Sequence, residues 1–306
     1  MDEQALAERF DECRGHLRAV AYRMLGSLDE ADDAVQETWL RASRAGAGDV
    51  ANVTGWLTTI AGRICLDMLR ARRRRGEEFG GLTGVERADG RDPEEEALLA
   101  DAVGLAMLVV LDRLAPAERV AFVLHDLFAV PFAEIAGIVE RTPATAKKLA
   151  SRARLRVHGA PALPAADLAR QRKVVEAFLA ASRSGDMDAL LAVLAPDAFR
   201  RAEPAAELRG AHRIAGETAA NPARARNARI ALVDGAIGLV VAPRGRLAAV
   251  LQITVEGDRV AGYTVIADPP RLRRLTLAVA APCGRGGGLG GSARPRRARG
   301  GAVRSR

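Results

Sequence analysis

Two thirds of the way along this chain the spacing of its apolar residues changes, and that change limits what it can fold into. Through the MDALLAVLAP stretch at 187–196, apolar residues recur three and four apart, the spacing of amphipathic helices. From about residue 229 they fall instead into four short runs, roughly 229–233, 236–242, 246–255 and 259–267. Asp234-Gly235, Arg244-Gly245 and Gly257-Asp258 separate the runs and signal short hairpin turns. A chain with both periods is modular: helical bundles first, then a small α+β unit with an antiparallel meander. Its 306 residues leave room for two or three such modules.

The helical part divides further. Leu17, Val20, Ala21, Met24 and Leu25 form one apolar stripe, and Ser27-Leu28-Asp29-Glu30 is a capping box that starts a second helix. That helix buries Ala31, Ala34, Val35, Thr38 and Trp39, and turns Asp29, Asp32, Asp33, Gln36 and Glu37 the other way. Thr54 is expected to cap a third helix, whose stripe runs Leu57, Ile60, Ala61, Ile64, Cys65, Met68 and Leu69 and whose end is the arginine run 70–75. Residues 76–93 are Gly-rich, charged and aperiodic, which reads as a linker. A second helical unit follows from Glu94 to about Gly159, and residues 160–166 (APALPAA) read as another linker.

Charge has to be read locally. The formal net charge is +8, but the seven arginines from Arg285 onward leave only about +1 for the rest, and residues 1–160 hold 22 Lys+Arg against 26 Asp+Glu. Against that acidic background, Arg141, Lys147, Lys148, Arg152, Arg154 and Arg156 fall within sixteen residues without one acid. All but Arg141, which falls in the turn, lie in the second of two short helices, Pro131–Val139 and Pro143–Val157, which have helix-turn-helix spacing. Lys147, Lys148 and Ser151 are expected opposite an inner face of Leu149, Ala153 and Leu155. Trp56, beside Thr59 and Arg63, is an aromatic among basic groups, a combination that stacks unpaired bases. The bland alternatives are a solvated helix end for 70–75 and a solvated acidic face for the second helix.

Cys13, Cys65 and Cys283 show no metal-ligand spacing, and no run of about 18 apolar residues exists. The expectation is a cytoplasmic protein with no cofactor, no metal site and no membrane span.

Taken in order, these motifs resemble the sigma-70 family, specifically its extracytoplasmic-function (ECF) members. Residues 14–42 (RGHLRAVAYRMLGSLDEADDAVQETWLRA) look like sigma region 2.1–2.2, and 53–75 like regions 2.3–2.4. Residues 111–157 look like region 4. The resemblance implies a sigma factor that directs promoter-specific transcription initiation, bound to RNA polymerase core and promoter DNA. By position, Asp29, Asp32, Asp33, Gln36 and Glu37 would dock on the β′ clamp helices, and region 4 on the β flap. Asn52, Trp56, Thr59, Arg63, Arg70 and Arg72, with the loop at about 44–54, would face the −10 element. Thr142, Thr145, Lys147, Lys148, Ser151 and Arg152 would face the −35 element.

The C-terminal part resembles the SnoaL-like cone domain fused to one branch of these factors, where it regulates the sigma domains. A separate anti-sigma factor is then not necessarily required. Asp268-Pro269-Pro270-Arg271-Leu272 looks like a variant of that branch's Asn-Pro-Asp-Lys-Leu segment, so Asp268, Pro269, Arg271 and Leu272 are the expected regulatory residues. The branch's Asp-Gly-Gly-Gly motif is replaced by Glu203-Pro204-Ala205-Ala206-Glu207, and its Trp-Leu-Pro-Glu-Pro linker is missing. The SnoaL-like region offers one histidine, His212, expected at the surface, and no acid/base pair for catalysis.

The expected layout is therefore region 2 at 1–76, a linker at 77–93, region 4 at 94–159, a linker at 160–166, a SnoaL-like regulatory domain at 167–281 and a disordered Gly/Arg tail at 282–306. No catalytic residue is expected. The rival readings are a one-component helix-turn-helix regulator with a ligand-sensing domain, and a SnoaL-like cyclase or isomerase with an N-terminal regulatory region.

Overall fold

The computed structural model describes residues 3–46, 48, 50–78, 102–202, 205–243 and 246–280. The expected linker at 77–93 and the start of region 4 fall largely outside these residues, and the tail at 282–306 wholly so. Three helices come first, α1 Glu3–Leu25, α2 Leu28–Ala45 and α3 Val53–Glu78. The predicted apolar stripes are what they bury: Leu17, Val20, Ala21, Met24 and Leu25 on α1, and Leu57, Ala61, Ile64, Cys65 and Leu69 on α3. Ser27 caps α2 as expected, its hydroxyl accepting from the Glu30 N–H. The cap of α3 is Asn52 and not Thr54: Asn52 Oδ1 accepts from Gly55 N at 3.0 Å.

The next group is α4 Ala102–Leu111, α5 Pro116–Phe122 running into a π-helical turn Val123–Leu127, α6 Phe132–Val139 and α7 Pro143–His158. Glu140 ends α6 in the left-handed conformation, and the Thr142 hydroxyl accepts from Thr145 N to start α7. This is a three-residue turn between two helices, built as the sequence spacing requires.

The C-terminal half is α+β. It runs α8 Ala165–Ser184, α9 Met187–Val193, β1 Leu194–Ala202, β2 Ala205–Arg209, α10 Ala211–Ala219, α11 Pro222–Arg226, β3 Ala228–Val233, β4 Ala236–Val241, β5 Ala249–Glu256, β6 Arg259–Ile266, α12 Pro269–Arg274 and β7 Leu277–Ala278. Among the described residues the sheet has seven strands in the order β2-β1-β6-β5-β4-β3-β7. The four expected runs form the β3–β6 meander, antiparallel throughout. Asp234 and Gly235 turn β3 into β4 with φ of 51 and 83, angles that Asp-Gly adopts readily.

Three strands, β1, β2 and β7, were not expected from the sequence. Residues 187–196 were read as one helix, but the helix stops at Val193 and β1 follows directly. β1 pairs with β6 in parallel, a non-local partner that leaves no hairpin signal in the sequence.

The sheet is covered on both faces. Ala228, Leu232, Ile237 and Leu239 join the core under α8–α10, whereas Ala231, Val233, Val240 and Val250 join the core of the helical modules. That second core is continuous from Val20 and Ile64 through Leu108, Leu124 and Ile135 to Ile266 and Leu277. The first three helices, the helix-turn-helix group and the C-terminal sheet therefore share one hydrophobic core.

Candidate nucleic-acid interface

α7 buries Ala146, Leu149, Ala150, Ala153 and Val157, a regular helical stripe. Lys147, Lys148, Ser151 and Arg152 lie on the exposed side, beside Thr142 at the N-terminus and a half-buried Thr145. Leu155, expected on the inner face, is 72% exposed and stands on the outer one. Basic residues along α7 divide by position. Toward its C-terminal end, Arg154 pairs with Asp126 through Nη2 at 2.6 Å and donates from Nε to both carboxylate oxygens. Glu118, buried on α5, takes Arg156 at 2.5 Å and Arg152 at 3.5 Å. In the N-terminal half, Lys147 and Lys148 have no ion-pair partner among the described residues. The arginines thus staple the helix to its own module, and the lysines with Ser151 and Thr142 form its open polar surface.

On α3 the expected −10 residues Asn52, Trp56, Thr59, Arg63 and Arg70 are spaced by four, three, four and seven, so they share one stripe. Trp56 is half-buried against the small cluster of Phe10, Leu17, Val35 and Leu57. Asn52 is engaged as the cap, and the Thr59 hydroxyl donates to Gly55 O at 3.0 Å. Arg63 donates to Gly137 O on α6 at 3.2 Å, and Arg70 pairs with Asp67 at 3.6 Å. Arg72 lies off this stripe. It donates to Leu25 O at 3.1 Å and to Asp112 at 2.9 Å, and Glu30 stands 3.6 Å away. Part of the stripe is covered, because α3 packs on α5 and α6 where Gly62 meets Ile138 and Leu124.

The acidic face of α2 is narrower than the sequence spacing suggests. Asp33 and Gln36 are exposed. Asp32, in contrast, turns toward α1 and accepts from Arg18 Nε at 2.7 Å, and Glu37 pairs with Arg41 along its own helix. Asp29 is half-buried near the start of the helix. Leu40, 38% exposed, continues the open side one turn beyond Gln36.

Asp268-Pro269-Pro270-Arg271-Leu272 forms α12. Asp268 caps it by accepting from Arg271 N at 2.9 Å, Pro269 fills the first turn and Leu272 is buried in the shared core. The carbonyls of Leu272 and Leu275 accept from Arg113 at 2.7 and 2.5 Å, and Val279 N donates to Val157 O at 2.7 Å. The segment expected to be regulatory is thus in direct contact with the helix-turn-helix module. Arg113 carries that contact and was not singled out from the sequence, since one arginine after an apolar helix has no distinguishing pattern. His212 is exposed, as expected. Among the described residues no group of three or more His, Cys, Asp or Glu could hold a metal ion, and no helix is long and apolar enough to cross a membrane.

Residues 10–75 match sigma-70 region 2, and residues 105–157 match sigma-70 region 4. The chain is 42% identical over 196 residues to the ECF RNA polymerase sigma factor SigJ of Mycobacterium tuberculosis, a match covering 61% of this chain and 62% of that protein. It is 38% identical over 187 residues to the probable ECF RNA polymerase sigma factor SigI of the same species, covering 60% and 64%. It therefore spans about three fifths of the length of these curated relatives. The crystal structure of the M. tuberculosis SigJ superposes with a TM-score of 0.43 at 31% identity, covering 87% of this chain and 98% of that one.

Proposed function

We propose that this chain, which carries the region 2 and region 4 domains of the sigma-70 family, works as an ECF sigma factor. It directs promoter-specific transcription initiation in the cytoplasm as a dissociable subunit of RNA polymerase. The observation that carries this reading is the open polar half of α7, Lys147, Lys148, Ser151 and Thr142, on a helix-turn-helix inside the region 4 match. The proposed modules are 1–76 and 94–159 for the sigma domains, and 167–281 for a SnoaL-like regulatory domain.

In this reading α7 enters the major groove at −35, and the α3 stripe with Trp56 takes the −10 element. Phosphate contacts set the register and base contacts supply the specificity. Asp29, Asp33 and Gln36 with neighbouring Leu40 meet the β′ clamp helices, and region 4 meets the β flap. Each module alone binds weakly, and joint docking on one polymerase raises their effective concentration. No catalytic role is assigned to the C-terminal domain. It modulates the sigma domains through α12 and Arg113, so a separate anti-sigma factor is not needed for the contact to be made. Because Arg63 and Arg72 are engaged across the region 2–region 4 junction, full access to −10 DNA requires α3 to part from α5 and α6.

Run-off transcription with purified core polymerase and genomic promoter fragments tests the proposal. Transcripts that depend on this chain and start at defined promoters are expected. Absence of any chain-dependent transcript, together with failure to co-purify with core polymerase, would instead favour a one-component regulator.

A further inference from the structure

Lys148, Arg152 and Arg156 follow one another at four-residue intervals, so they form one row along α7. The row does not carry its charge evenly. Lys148 has no ion-pair partner among the described residues, whereas Arg152 and Arg156 both reach Glu118 on α5. Each takes its own carboxylate oxygen: Arg152 Nε stands 3.5 Å from Oε1, and Arg156 Nη1 donates to Oε2 at 2.5 Å.

The two sides of this contact are unlike. The side chain of Glu118 is 5% exposed, while those of Arg152 and Arg156 are 59% and 57% exposed. A carboxylate that deep needs counter-charge, and the two guanidinium groups are its ion-pair partners among the described residues. Its place in the first turn of α5, behind Pro116, adds the favourable end of the helix dipole. The arginines have water on their other side and lose little by turning away. Arg152 is the nearer of the two to the open polar surface, beside Ser151 and one turn after Lys148, and Arg156 lies a further turn toward the C-terminal end.

We infer that Glu118 is a positioning residue for DNA binding: its buried carboxylate holds Arg152 back from phosphate and so limits the sequence-independent grip of α7. The inference rests on the proposed promoter-binding role of α7 and names a residue that tunes it. A guanidinium at this place would otherwise add a charge-assisted phosphate contact, which its fork of donors makes readily. A phosphate can claim Arg152 only by drawing it away from Glu118, and the buried carboxylate is then left with Arg156 alone. Lys147 and Lys148 carry no such penalty, so the lysines set the hold of α7 on arbitrary sequence. A weak hold of that kind leaves fewer chains sequestered on non-promoter DNA.

The experiment measures binding of the full chain, across a salt series, to a random-sequence duplex and to a duplex carrying a −35 element identified by run-off. Glu118→Gln keeps an oxygen to accept from Arg156 and removes the charge. It should strengthen binding to both duplexes about tenfold at low salt and steepen log K against log salt by about 0.9, the slope of one added phosphate contact. Adding Arg152→Gln should return both readings to wild type. Glu118→Asp, one methylene shorter, keeps the buried charge should the amide impair folding, and should move both readings part of the way as it draws back from Arg152. A purely structural role for Glu118 would lower Tm and leave the slope where it was, and that result overturns the proposal. So does a gain that survives Arg152→Gln, because the released cation is then another one. A gain confined to the −35 duplex would assign Arg152 to a base and overturn the phosphate contact. Run-off transcription by the unsubstituted chain is read in parallel. Its failure tells against the sigma reading, whereas the random-duplex slopes judge Glu118 whatever the transcripts show.

Discussion

Single side chains here were assigned by residue type, and the structure sorts them by what they already hold. Lys147 and Lys148 stand open on α7, whereas Arg152 is drawn toward the buried Glu118. Lys147→Ala with Lys148→Ala should therefore weaken promoter binding while core-polymerase binding and Tm stay at wild-type values. A lost base contact costs about 1–3 kcal/mol and relaxes specificity at one position, and a lost phosphate contact weakens all sequences alike. Electrophoretic shift assays on promoter variants separate the two, and unchanged binding to every promoter would remove α7 as the reading helix. Cys65 makes a different prediction. Burial pushes its thiol from an ordinary value of 9.0 up to about 12, so it stays protonated in the fold. The unfolded chain loses that proton near pH 9 and the folded chain does not. This contribution to stability is complete below about pH 9 and falls as pH rises toward 12. Denaturant melts between pH 8 and 11 should show the decline, and Cys65→Ala should lessen it. Alkylation mapped by mass spectrometry should spare Cys65 until unfolding.

At the scale of elements, the question is which helix faces are open. Gly62 on α3 is one turn-spaced gap through which α3 approaches α5 and α6: a Cβ there would lie 3.1 Å from Ile138 and 3.5 Å from Leu124. Gly62→Leu should wedge region 2 from region 4, at a cost to the junction of about 1–3 kcal/mol, typical of overpacking. Small-angle scattering should show a larger particle, and run-off activity should rise if the closed pairing limits access to the −10 element. An unchanged radius of gyration would mean the junction absorbs the side chain and does not gate. For α2, the open residues Asp33 and Gln36 are the proper test of docking on β′. Asp32 is not, because its reversal also breaks the pair with Arg18. Asp33→Lys with Gln36→Lys should abolish holoenzyme assembly with little change in Tm. Wild-type assembly by this variant would leave the acidic face a solvated surface.

The whole molecule is held together by its shared core. Ala231, Val233, Val240 and Leu277 of the C-terminal sheet pack with Leu108, Leu124 and Ile138 of the helical modules. Two hydrogen bonds from Arg113 and one from Val279 to Val157 reinforce the seam. Truncation after Pro164 removes those side chains and exposes the apolar surface they cover. The 1–164 fragment should unfold at lower temperature than the full chain and differ from it in run-off activity across several promoters. Removing only residues 284–306 should leave both close to wild type and reduce nonspecific, salt-sensitive DNA binding. Equal activity of the fragment and the full chain on all promoters would end the regulatory reading of the C-terminal domain.

Much of this was legible in the sequence because the signal was local. The stripes of α1–α3, the Ser27 cap, the Thr142 cap and the Asp234-Gly235 hairpin all follow from residues a few positions apart, where backbone geometry sets the spacing. Lys147 and Lys148 could be placed outward because a helix carries its apolar stripe with it. What failed was long-range. β1 could not be seen because its partner β6 lies some sixty residues on and in parallel. Leu155 was read inward from its residue type, although its register on α7 turns it out. Arg63, Arg72, Arg113 and Arg152 look alike in sequence, and only the fold decides that the first three donate hydrogen bonds to Gly137, Asp112 and Leu272 and that Arg152 pairs with Glu118. The continuous apolar runs of β3 and β4 did hint that both sheet faces are covered. That the second cover is the pair of helical modules depends on the packing of one core, which no local pattern encodes.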